Sequence, residues 1–134
     1  MTGRQISIWF PEEIERILKA RTPKGLSRSL LIARLISRYE EIVTRSTPAL
    51  SEAEWLVVLS CLFGKDPDPR VIEHEVADGS RRSRLPDEQQ QTLVEKLRTL
   101  DFAGRLAVLD VVERLGYVAS KQRGKKLREW GIVR

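Results

Sequence analysis

One stretch of strict two-residue alternation, Gln5-Ile-Ser-Ile-Trp-Phe10, constrains this chain more than any other feature. Ile6, Ile8 and Phe10 fall on one side of an extended segment, and Gln5, Ser7 and Trp9 fall on the other. The remaining sequence offers no second convincing strand. A lone strand cannot satisfy its own backbone donors and acceptors, so the expectation is antiparallel pairing with the same strand of a second copy about a two-fold axis.

The residues that follow predict two helices. Pro11 suits a first helical turn, and Glu12, Glu13 and Glu15 complement the positive end of the helix dipole, with Ile14, Ile17 and Leu18 on one face. Thr22-Pro-Lys-Gly25 stops this helix, and Ser27 offers an N-cap for a longer one reaching about Val43 or Thr44. Ile32, Leu35, Ile36, Tyr39, Ile42 and Val43 recur there at helical spacing, and Leu30 and Leu31 widen the apolar face beyond what a surface helix carries. This excess is a second reason to expect a homodimer.

Strand, short helix, Gly-containing turn and longer helix within residues 1–46 resemble the ribbon-helix-helix family of Arc, MetJ and CopG-type regulators. The motifs that carry the likeness are Gln5-Ile-Ser-Ile-Trp-Phe-Pro11 leading into Glu-Glu-Ile, and Lys24-Gly-Leu-Ser-Arg-Ser29 followed by Leu-Leu-Ile. The resemblance implies an intertwined dimer whose two-stranded ribbon enters the major groove of double-stranded DNA. It implies base reading by the outward Gln5, Ser7 and Trp9. Trp9 departs from the family's polar or small residue, and either packs on thymine methyls, covers the ribbon edge or contacts another part of the protein. The same likeness implies a phosphate clamp at the second helix from Ser27, Arg28 and Ser29; Lys24 lies close enough to add charge, and Arg4, just before the alternating segment, is expected to contact a phosphate rather than a base.

Beyond a linker at 47–50, residues 51–134 predict a small all-helical domain for oligomerisation or partner binding. Ser51-Glu-Ala-Glu54 has capping-box spacing before the apolar run ending at Phe63. Arg70 to Ala77 predicts a short helix, and Asp78 to Arg84 an exposed basic loop. Asp87 begins a helix bearing Leu93, Val94, Leu97 and Leu100, and Asp101 caps another bearing Leu106, Leu109, Val112 and Leu115. Ser120 to Arg134 is basic and weakly patterned, either a solvated tail or a contact with flanking DNA.

Charge is distributed unevenly along the 134 residues. Residues 1–46 hold nine Lys/Arg against five Asp/Glu, residues 47–113 eight against thirteen, and residues 114–134 seven against one. Two basic ends around an acidic middle fit a polyanion-binding protein. One cysteine, Cys61, lies in an apolar run and reads as core, and His74 is the sole histidine. Neither a zinc ligand set nor a catalytic Cys-His pair can be assembled from them, and Glu73 and Glu75 are too close in sequence to share a helix face. No catalytic residue, metal or cofactor is expected. With no run near the ~18 apolar residues of a membrane span and no signal-peptide pattern, a cytoplasmic location of bacterial type is expected.

The expected function is therefore sequence-specific DNA binding by a homodimer, as a transcriptional repressor, with oligomerisation or the binding of a protein partner through residues 51–134. The alternatives are an antitoxin whose remaining chain masks a protein partner, and a plasmid partition or relaxosome accessory protein.

Overall fold

The computed structural model describes residues 8–83 and 85–134. Among them the fold is helical: α1 (Glu12–Arg21), α2 (Arg28–Ser46), α3 (Glu52–Leu62), α4 (Ile72–Ser80), α5 (Asp87–Arg98), α6 (Phe102–Gly116) and α7 (Arg123–Glu129). Short 3-10 turns, Pro69–Val71 and Ser120–Gln122, precede α4 and α7. The chain divides into two compact units between Tyr39 and Glu40, a point that falls within α2.

The ribbon-helix-helix assignment is corrected by this structure. That fold requires a β-strand, and no strand occurs among the described residues. Gln5 and Ile6 lie outside the described residues, as does Ser7. Residues 8–11 are neither strand nor helix. Ile8 and Trp9, which the alternation assigns to opposite faces, are both open to solvent, at 61% and 84% exposure. Two-residue alternation marks a strand because one face packs on something. Here neither of these neighbours is covered and no strand occurs among the described residues, so the N-terminal β-ribbon part of the expected fold is withdrawn.

In the first unit, α1 begins after Pro11 with three glutamates in its first turn and ends with Lys19 and Arg21, so both ends match the dipole. Thr22 closes it by donating its hydroxyl to the Leu18 carbonyl at 2.5 Å. The chain reverses through Pro23 to Leu26, where the Leu26 N–H donates to the Pro23 carbonyl at 3.1 Å and Gly25 adopts φ +95°. That backbone region suits glycine. Ser27 then caps α2 loosely, accepting from the Leu30 N–H at 3.4 Å.

The second unit encloses a core. Ser51 and Glu54 form the reciprocal capping box at the head of α3, with Glu54 N–H donating to Ser51 Oγ at 3.1 Å and Ser51 N–H to Glu54 Oε1 at 2.9 Å. Lys96 Nζ of α5 reaches the same carboxylate at 2.9 Å. Every helix from α3 onward contributes fully buried apolar side chains: Trp55, Val58 and Leu62 from α3, Ile72 and Val76 from α4, Leu93 and Leu97 from α5, Val108, Val111 and Leu115 from α6, and Leu127 from α7. The α6 set recurs at three- and four-residue steps, one helix face. Trp130, Ile132 and Val133 pack on its margin, so the segment after Ser120 is docked structure rather than a tail. The loop expected from Asp78 begins later, because α4 continues to a buried Ser80.

Arg105 is the polar centre of this unit. Its guanidinium donates to the carbonyls of Leu100 at 3.2 Å, Pro69 at 3.2 Å, Arg70 at 3.0 Å and Arg98 at 3.2 Å, and to the Glu73 carboxylate. Both charges are almost wholly buried. One side chain thus closes the orphan carbonyl end of α5 and ties α6 to the turn before α4. Burial, the largest single influence, works against the Glu73 charge, but the hydrogen bond from Arg105, a backbone hydrogen bond and the neighbouring positive charge together outweigh it and hold the carboxyl below the usual glutamate range.

Candidate nucleic-acid interface

The residues singled out for DNA contact are placed unequally. Arg4, Gln5 and Ser7 lie outside the described residues. Trp9 stands in the segment ahead of α1, its indole almost bare. Lys24, Ser27, Arg28 and Ser29 are gathered by the α1–α2 turn and the first turn of α2, all exposed. Short-range chain reversal is what groups them. Pro23 and Gly25 bend the backbone, and the start of α2 leaves unpaired N–H groups beside them.

This cluster has one internal commitment. Arg28 Nη2 donates to Glu15 Oε2 at 2.5 Å, linking the head of α2 to α1. A guanidinium carries five N–H donors, so this pair leaves Arg28 able to meet a phosphate while anchored. The exposed geometry limits what the pair adds to stability. A shallow depression beside α1 is lined by Glu12, Glu15, Arg16, Lys19 and Thr22 along with Arg28, a mixed-charge surface rather than an enclosed pocket. Arg34 and Arg38 lie further along α2, both exposed.

The apolar side chains of the same unit are the larger surprise. Among its described residues only Leu18 is buried. Ile14 and Ile17 of α1 and Leu30, Ile36 and Tyr39 of α2 are exposed, Ile36 at 62%. Ile32 and Leu35 are half-covered. The excess apolar width of α2 was legible in the sequence. The exposure of Ile14 and Ile17 was not, because α1 has the ordinary pattern of a helix packed on its neighbour.

Of the other groups with chemical potential, Cys61 is taken up by the core. Its Sγ is 3.9 Å from the Val76 carbonyl, and burial pushes its thiol pKa up despite opposing effects from Ser60 and Lys65. His74 is exposed next to Glu73. Among the described residues no three His, Cys, Asp or Glu side chains gather in a metal-binding group, and no helix is long and apolar enough to cross a membrane. No family model matches the chain, and no curated protein or solved structure matches it.

Proposed function

We propose that the chain is a homodimeric DNA-binding protein acting as a transcriptional repressor, its copies joined through the apolar faces of α1 and of α2 as far as Tyr39. The observation that carries this reading is the imbalance of the first unit, which buries Leu18 alone among its described residues while five large apolar side chains of α1 and α2 remain exposed beside a basic turn. Two helices cannot enclose a core by themselves. A second copy supplies an identical face, and a two-fold axis makes that contact self-complementary. Burial of such side chains is worth about 25 cal/mol per Å² of apolar surface removed from water.

The duplex meets the turn. Lys24 and Arg28 supply charge, and the N-terminal amides of α2 with Ser27 and Ser29 supply donors for a phosphate. Two copies present two such turns, matching a site with two half-sites. This reading does not use a β-ribbon and requires no catalytic group.

Sedimentation and a selection from random duplexes test it together. The expected results are a dimer and an enriched sequence whose affinity falls with salt, with Lys24→Ala/Arg28→Ala weakening every duplex alike. A monomer at all concentrations, or no preferred sequence at moderate salt, would overturn it.

A further inference from the structure

We infer that the 3-10 turn Ser120–Gln122 and α7 form a second contact with the DNA phosphate backbone, an inference that rests on the DNA-binding reading above. The segment is docked by Leu127, which is fully buried, so the backbone that carries its cations is held on the surface. Lys125 and Arg128 are three residues apart on α7 and share a face, and Lys121 stands in the turn just before it.

The balance of charge favours an anion. Residues 114–134 carry seven cations. The carboxylates paired with them are Asp110 on Arg114 at 3.2 Å, Glu52 on Arg128 at 2.5 Å, and Glu129 on Lys125 and Lys126 at 3.7 and 3.1 Å. Three carboxylates against seven cations leave a surplus of four. Arg123 spends its Nε on the Val118 carbonyl at 3.2 Å, and Lys121 and Arg134 have no ion pair among the described residues. A lipid surface is the poorer match, because membrane-surface helices need an apolar face to insert and α7 turns its Leu127 into the core. A duplex backbone needs no such face, only spaced positive charge.

The test compares the full chain with its Lys121→Gln/Lys125→Gln/Arg134→Gln variant on a duplex longer than the selected site, across a salt series. A matched loss of charge elsewhere, Lys65→Gln/Arg81→Gln/Arg82→Gln, is the control. The expected result is that the slope of log affinity against log salt falls by about 2 to 3 for the first variant, near 0.9 for each phosphate no longer neutralised, while the preferred sequence stays the same. Lys121→Arg/Lys125→Arg should keep the wild-type slope. An unchanged slope in the first variant overturns this inference alone. An equal fall in the control also overturns it, since net charge would then explain the effect. Wild-type protein that binds no duplex overturns the DNA-binding reading and this second site with it.

Discussion

The two units of this chain use similar apolar side chains to opposite effect. From α3 to α7, five helices surround one another, and Trp55, Leu97, Leu115 and their neighbours are sealed from water. Up to Tyr39, two helices leave Ile14, Ile17 and Ile36 in solvent. Hydrophobicity alone therefore does not make a core; enough elements must converge to close around it. A unit with apolar surface and too few elements keeps that surface in water, whereas the five-helix unit closes around its own.

The sharpest way to break this contrast is to remove the polar centre of the second unit. Arg105→Leu strands the Glu73 charge and four backbone carbonyls, and urea unfolding followed by tryptophan fluorescence should show a loss of about 3–5 kcal/mol. A truncation pair comes next. Leu97→Ala empties a sealed site and should cost about 2–5 kcal/mol, whereas Ile36→Ala should change unfolding of the monomer by less than about 0.5 kcal/mol and instead raise the dissociation constant of the proposed dimer in sedimentation. If Ile36→Ala destabilises the monomer as much as Leu97→Ala, the first unit has cover of its own.

Glycines sharpen the comparison at a smaller scale. A Cβ on Gly116 would lie 2.1 Å from the Phe63 ring, which also meets Tyr117 edge to face at 5.6 Å, so Gly116→Ala should cost about 1–3 kcal/mol through overpacking. Gly25→Ala meets no atom within 4 Å and should cost only the left-handed backbone penalty, about 1–2 kcal/mol. A crystal structure of each variant should show Phe63 displaced in the first and no side chain moved in the second.

The smallest effect concerns pH. Glu73 has a folded pKa below its ordinary value, so its contribution to stability is complete above the ordinary glutamate range and is lost as pH falls through the depressed folded value. Urea midpoints across that acidic interval should decline, and Glu73→Gln should flatten that part of the decline. An identical pH profile in Glu73→Gln would assign the acid sensitivity to other carboxylates.

Much of the helical layout was readable because its signals are local. Ser51 with Glu54, Asp101 before α6 and Pro11 before α1 act within one turn of backbone, and each stands at the helix head its spacing predicts. The strand was misread for the complementary reason: alternation reports a covered face only when a partner exists to cover it, and sequence carries no record of that partner. α7 was missed because one buried leucine, Leu127, among charged residues gives too little periodicity, while its docking depends on distant helices. Of the candidate interface, the turn was legible from Pro23, Gly25 and Ser27, but the Arg28–Glu15 link was not, since thirteen residues separate the partners. Arg105 left a faint trace as a cation inside the apolar run of α6, with nothing to name its acceptors.

The bonds made by Arg105 bear on how the second unit opens. Its guanidinium spans the turn before α4, the end of α5 and the residue preceding Asp101, so none of these segments can peel away without releasing the others. Amide hydrogens in α4, α5 and α6 should therefore exchange with solvent through one shared opening event rather than helix by helix. A single buried cation turns neighbouring helices into one cooperative element, and protease should find no partly unravelled form of it to cut.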